Sequence, residues 1–322
     1  MMKVLDIITN KIYFLSIVIL ALYLFTFVSS YGVESVMVRN ATHADDQWYP
    51  STAEKLSETV DGYLAKAKKE SLNGRIIALI VPHAGYRFCG QVAAYAYKQI
   101  IGMDFDIVVL VGPSHHYGFP GASVYESGVF RNPLGDVAID SSITKQLIKE
   151  NPDIKFYPQA HIPEHSIENQ IPFLQRTLKN FKIVPILMQD SSKKNCDMLS
   201  NALAKVLKGK KVLLIASTDM THYPSYDEAV KADKYTISAL ETLNTDIIRN
   251  RLDDYMKKRI KNLHCMLCGD GPVFVVIDTA KKLGANSIKT LKYANSGDVS
   301  IGSKSQVVGY MSAAIYESKN ES

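Results

Sequence analysis

The sequence predicts an α/β protein, a three-layer α/β/α sandwich around a mostly parallel central sheet. Three observations carry this. Four continuous apolar runs stand at 76–81 (IIALIV), 107–111 (IVVLV), 183–188 (IVPILM) and 212–216 (VLLIA). Continuous runs of this length fit strands buried on both faces, as in a parallel sheet covered by helices. Helical patterns alternate with them, and no Pro/Gly/Ser-rich linker, low-complexity tract or repeat divides residues 34–322, so these read as a single domain.

Taken in chain order, residues 1–11 are a short N-terminal tail. Segment 12–33 carries no charged residue and is long enough to cross a bilayer as a helix. Lys3 and Lys11 precede it, with Asp6 between them, and Glu34 follows. The positive-inside rule then places the N-terminus in the cytoplasm and the domain outside it. The expectation is a single-pass membrane anchor, with a signal peptide cleaved near Ser30 and an exported soluble domain as the alternative. Helices are expected at 53–69, 91–101, 142–149, 166–178, 193–207 and 227–242. Two strand-like stretches, 288–293 and 306–316, close the chain.

Composition narrows the function. The chain has 322 residues, 47% of hydrophobic type and 21% charged, with a formal charge of +5. Its basic patches, Lys208, Lys210 and Lys211, then Lys257, Lys258, Arg259 and Lys261, are not interleaved with aromatic residues. No nucleic-acid-binding module is recognisable, and no nucleic acid is expected as a partner. Four cysteines in a chain of this length do not make a disulfide scaffold. Cys265 and Cys268 form one Cys-x-x-Cys pair, and no second pair completes a structural zinc site. Ser114 lacks the Gly-x-Ser-x-Gly elbow of a nucleophilic hydrolase. No Gly-rich phosphate loop points to a nucleotide enzyme.

The chemistry gathers behind the apolar runs. The first is followed by Pro82-His83-Ala84-Gly85-Tyr86, the second by Gly112-Pro113-Ser114-His115-His116, and the last by Ser217-Thr218-Asp219-Met220-Thr221-His222. Ligands of open parallel sheets bind outside the carboxyl ends of the strands. Three runs each deliver a histidine there, so His83, His115 and His222 are expected to share one site. His43, His161 and His264 read as hydrogen-bonded turn residues. His116 neighbours His115 and points elsewhere in extended chain, which leaves it a supporting role. Two imidazoles plus an anionic ligand, with open positions, suit a catalytic divalent metal, and a carboxylate as the third ligand would suggest non-haem Fe(II). Asp219, Glu168, Cys265 and Cys268 all remain candidates for that ligand. In Pro163-Glu164-His165-Ser166-Ile167-Glu168, the acids either complement a helix dipole, or His165 and Glu168 enter the cleft as supporting groups or a proton relay.

These segments resemble the Memo family. The resemblance runs from about residue 38 to the C-terminal strands. It rests on Ala41-Thr42-His43-Ala44 with Trp48-Tyr49, the two His segments with Cys89-Gly90, Glu164-His165-Ser166-Ile167-Glu168, Ser217-Thr218-Asp219 with His222, and Cys268-Gly269. It implies a LigB-like fold, similar to that of the class III extradiol dioxygenases. It also implies a metal held by His83, His115 and Cys268, with Asp219 and His222 beside it and His222 as acid/base. A cysteine in place of the dioxygenase carboxylate argues against ring cleavage, because thiolate donation alters the redox behaviour of iron.

Three functions follow as expectations. The first is a metal-dependent redox enzyme, with Fe(II) foremost and copper as the alternative, in which His222 moves a proton and Asp219 orients it or holds the metal. The second is a binding module without catalysis. The resemblance implies a peptide-binding adaptor, or an accessory partner of a radical enzyme system, with Trp48 and Tyr49 at the rim and Tyr86 nearby. The third is a zinc hydrolase, ranked last because no His-Glu-x-x-His motif occurs.

Overall fold

The structure, a computed structural model, describes Ser16 and residues 36–319. The expected tail and, apart from Ser16, the apolar segment 12–33 lie outside the described residues. The expectation of a single-pass membrane protein is corrected: among the described residues no helix is long and apolar enough to cross a membrane. Several helices here have 15 residues. They span about 22 Å at 1.5 Å per residue, against a hydrocarbon core of about 30 Å. The membrane placement is set aside on that finding.

The described residues form a mixed α/β fold built on an eight-stranded sheet. Its order is β10 (Ser287–Asn295), β11 (Gly309–Ser318), β2 (Gly74–Val81), β9 (Val212–Ser217), β3 (Ile107–Pro113), β8 (Lys182–Met188), β4 (Ala122–Val124) and β7 (Ile154–Lys155). The four apolar runs of the sequence are the four central strands β2, β9, β3 and β8, and they pair in parallel. The β4–β7 pair is also parallel, whereas β10–β11, β11–β2 and β8–β4 are antiparallel. A separate three-stranded sheet joins β1 (Val38–Asn40), β5 (Val129–Asn132) and β6 (Gly135–Ala138).

Both faces of the central strands are buried, as unbroken apolar runs require. On β3, Val109 and Val111 enter one core, and Val108 and Leu110 enter the other. On β9, Val212, Leu214 and Ala216 oppose Leu213 and Ile215 in the same way. Each such side chain contributes about 1.5–3 kcal/mol when fully buried, so a single covering layer would not suffice. One face is covered by α1 (Ala53–Lys66), α2 (Tyr86–Ile100) and α6 (Ile171–Thr177). The other is covered by α3 (Ser141–Glu150), α7 (Lys193–Leu207), α8 (Tyr226–Leu240), α9 (Thr245–Met256) and α10 (Asp270–Lys282). Thr52, Asp140, Ser192 and Asn244 cap α1, α3, α7 and α9 with side-chain oxygens, each worth about 1 kcal/mol.

Two differences from the expected helices matter for the site. The second helix starts at Tyr86, five residues before its expected start, directly behind the His83 turn. The helix expected over 166–178 is two pieces, α5 (His165–Glu168) and α6. Pro172 in the first turn of α6 has no N–H to continue the ladder. The break frees Asn169 and Gln170, whose amides donate to the carbonyls of His83 at 2.6 Å and Pro82 at 3.0 Å. A further short helix, α4 (Pro158–His161), precedes α5.

Candidate metal centre

Three parallel neighbours, β2, β9 and β3, end at one edge of the sheet and place His83, Asp219 and His115 there. The α5 helix closes over this edge. Its approach needs Gly112 at the end of β3, because a Cβ there would lie 2.5 Å from Ser166 Oγ. Ser166 Oγ instead donates to Pro113 O at 2.8 Å and fixes α5 on the strand end.

His83 is 2% exposed. Its Nδ1 lies 2.9 Å from Ser217 Oγ. That hydroxyl spends its only proton on Ser166 O at 2.6 Å and accepts from Gln170 Nε2 at 2.9 Å. Ser217 therefore accepts from His83 Nδ1, and the lone pair of the neutral ring is on Nε2. Burial, with His115 close by, holds His83 well below the usual imidazole range, so the ring is neutral.

His115 is oriented by a carboxylate. Glu164 Oε2 accepts the His115 amide at 2.6 Å, and Oε1 lies 2.9 Å from His115 Nδ1. Burial opposes charge on Glu164, but the hydrogen bond and charge of His115 outweigh it and hold this carboxyl below its usual range. An ionised carboxylate only accepts, so His115 Nδ1 donates and its Nε2 is free. This is the carboxylate–histidine arrangement that orients metal ligands.

His165 completes the group. Donor atoms of His83, His115 and His165 all lie within 4.8 Å of one another. The His115 and His165 rings stack at 4.6 Å, and each ring centroid is under 5.5 Å from that of His83. His165 Nδ1 is buried without a hydrogen-bond partner. Burial and the His83 ring push His165 down to about 2, which keeps it neutral and able to donate a lone pair. A buried nitrogen that makes no hydrogen bond, with Glu164 Oε1 3.5 Å away, beside two imidazoles whose Nδ1 atoms are committed elsewhere, fits a divalent metal ion. Cys268 adjoins this group: its Sγ lies 3.2 Å from His83 Nε2 and 3.2 Å from the Asp219 amide. Burial, then the Asp219 charge, pushes its thiol well above the usual range.

The other expected residues are placed as follows. Asp219 lines the cavity, and its Oδ1 accepts from His83 N at 2.8 Å, so Asp219 holds the turn that carries His83. Burial pushes its carboxyl up, against the pull of His222 and the N–H groups of His83 and Ala84. His222 lines the same cavity, with Nδ1 donating to Met220 O at 2.9 Å. Trp48 stands 4.3 Å from the His165 ring and 5.1 Å from His43, forming the cavity wall. His116 lies 6.4 Å from His115 by ring centroids. Tyr86 is in the core, with its hydroxyl on Asn169 O at 2.7 Å. Glu168 points away from the cavity into a buried cluster. There it pairs with Arg39, accepts from Tyr49 OH at 2.6 Å and accepts from the His43 amide at 2.8 Å.

The supporting role in the cleft considered for Glu168 thus falls to Glu164. Glu164 caps α5 from an extended conformation and bonds Ser166 N at 2.9 Å, so the helical register that makes residues four apart equivalent does not include it. Ser217, Gln170 and Asn169 were also not singled out as site residues, although Ser217 stands at the end of an apolar run that also leads to His222. We expect Glu164→Gln to weaken metal binding about 10–100-fold with the fold intact, as measured by competition with a chelator.

Fold and site together define an α/β protein with a three-histidine group, able to take a metal ion, at the carboxyl edge of parallel strands. A family model described as Memo-like protein matches residues 39–314. A MEMO1 family protein of Aquifex aeolicus is 37% identical over 268 residues, 82% of this chain and 94% of that one. One from Methanocaldococcus jannaschii is 34% identical over 284 residues, 83% and 96% of the two chains. One from Methanothermobacter thermautotrophicus is 36% identical over 239 residues, 73% and 83%. The chain belongs to the Memo family.

Proposed function

We propose that this protein is a metal-dependent redox enzyme acting on a small molecule. The observation that carries the reading is the pair of imidazoles whose Nδ1 atoms are committed, on His83 to Ser217 and on His115 to Glu164, which leaves the Nε2 lone pairs for a metal, that of His83 facing Cys268 Sγ at 3.2 Å. His83, His115 and Cys268 would hold the metal, with His165 beside them as a further nitrogen donor. Fe(II) is the metal we assign first, with copper and zinc as the alternatives that analysis separates. A bound redox metal would supply electron transfer and polarisation of a coordinated substrate.

The protein's own residues do the rest. His222 lines the cavity and would take or give a proton there through Nε2, while Met220 O holds Nδ1. Ala84, Val308 and Trp48 give the cavity apolar wall. Its volume of about 260 Å³ is at the small end of ligand sites, about 300–1,000 Å³, and suits a compact substrate. A second reading, a binding module without turnover, is favoured by Tyr223, 46% exposed at the rim. The same volume limits such a ligand to a side chain of a peptide rather than its length.

Anaerobic metal analysis tests the proposal. Near-stoichiometric iron or copper in the purified protein, absent from His83→Ala, is the expected result. No metal after reconstitution would leave the binding-module reading, and zinc alone would favour hydrolysis. Cys268→Ser should weaken metal binding more than Cys265→Ser; equal losses would mean that the two thiols act as one chelate.

A further inference from the structure

We propose that Asp233 is the positioning residue that sets His222 for proton transfer, acting through Thr221. The proposal rests on the reading of His222 above and adds a residue outside the cavity.

Asp233 lies on α8 and is fully buried, as is Thr221. Its Oδ1 accepts from Thr221 N at 3.2 Å. Its Oδ2 accepts from Thr221 Oγ1 at 3.2 Å and from Tyr293 OH at 2.8 Å. On the other side, Thr221 O accepts from Gly309 N at 3.0 Å, and Met220 N donates to Gly309 O at 2.8 Å. The amide, carbonyl and hydroxyl of Thr221 are therefore all committed before the chain reaches His222. Met220 O is the acceptor of His222 Nδ1–H. A rotation at Thr221 would carry that carbonyl away and release the tautomer that leaves Nε2 free. Asp233 thus reaches the imidazole through one residue and two backbone bonds.

Two features argue against mere packing. A carboxylate buried on a helix is costly, and an apolar side chain of similar size would hold α8 on β11 at least as well. Here three donors converge on the carboxylate, two of them from Thr221. Gly309 supplies the second feature: a Cβ there would lie 2.0 Å from Asp233 Oδ2, so the strand leaves room for this carboxylate. Burial pushes Asp233 up to about 7, and the hydrogen bonds of Tyr293 and Thr221 pull it back towards the charged form.

The test uses the full chain and Asp233→Asn, which keeps the size of the side chain but replaces one acceptor oxygen by a donor. Nitrogen NMR of the His222 ring should show a second tautomer, and the Thr221 amide should exchange about tenfold faster, as loss of one buried hydrogen bond implies. Metal content and melting temperature should change little, and where turnover is measured kcat should fall while KM holds. An unchanged His222 tautomer with unchanged Thr221 exchange overturns the proposal. Metal loss accompanying the ring change also overturns it, by making Asp233 a general prop. Should Asp233→Asn not fold, Thr221→Val and Tyr293→Phe decide instead. Each removes one hydroxyl, and Thr221→Val should move the ring equilibrium in the same direction by a smaller amount; a fixed tautomer overturns the idea. These ring and exchange readouts do not require a metal or a reaction, so they stand apart from failure of the enzymatic reading.

Discussion

Replacing His83 or His115 by alanine is expected to abolish stoichiometric metal binding. Loss of even an outer partner costs about 10–100-fold in affinity, so loss of a ligand should exceed about 100-fold. The two variants should differ in stability. His83 is buried and its ring donates to Ser217, so its removal leaves a void and takes one hydrogen bond from that hydroxyl. His115 is partly exposed, and its loss mainly releases Glu164. We expect His83→Ala to lower the melting temperature more than His115→Ala, while both retain native circular dichroism. Full metal occupancy in either purified variant would refute the assignment of that ligand.

The second large effect is on stability. Arg39 and Glu168 form an ion pair in which each side chain is 2% exposed. Arg39 also donates to His161 O, Ile162 O and Glu164 O, and so holds the α4–α5 segment that carries Glu164 and His165. Glu168 receives the Thr42 and His43 amides and Tyr49 OH, and so holds the segment leading to Trp48. Breaking a buried pair by removing one partner costs about 3–5 kcal/mol, because the other charge is left buried and alone. Arg39→Met should therefore lower the melting temperature by roughly 10 °C. The double change Arg39→Met with Glu168→Leu should recover part of that loss. A shift of under about 2 °C for Arg39→Met would show the cluster to be unimportant for stability.

The same cluster sets an acid dependence. Burial opposes charge on Glu168, yet the His43 hydrogen bond and the Arg39 charge outweigh it and hold the carboxyl below its usual range. A depressed folded value contributes stability that is present above the unfolded value of about 4.3 and is lost as pH falls through the folded one. Denaturant midpoints should thus fall as pH drops below about 4, and Arg39→Met should flatten the slope. An unaltered slope in the variant would contradict this account.

Much of the fold was legible because burial on both faces leaves a local signature. The runs 76–81, 107–111, 183–188 and 212–216 became β2, β3, β8 and β9, the centre of the sheet. The carboxyl ends of three of them carry His83, His115 and the segment leading to His222. The α10 helix is absent from the expected set because its apolar residues run without interruption from Pro272 to Ile277, which hides the helical period. The site was less legible. His165 joins the three-histidine group, and Glu164 rather than Glu168 orients His115, because α5 breaks after one turn and sits on Ser166 and Gly112.

By itself, the sequence determined which residue types meet a common edge, since strand burial and chain order are local properties written in the apolar runs. Tertiary structure alone decided which nitrogen of each imidazole is free and which acid serves which partner. It also decided that Asp219 accepts the backbone amide of His83. Those outcomes depend on hydrogen bonds between residues far apart in the chain, such as His83 with Ser217 and Arg39 with Glu168, and on their directions, which residue spacing does not encode.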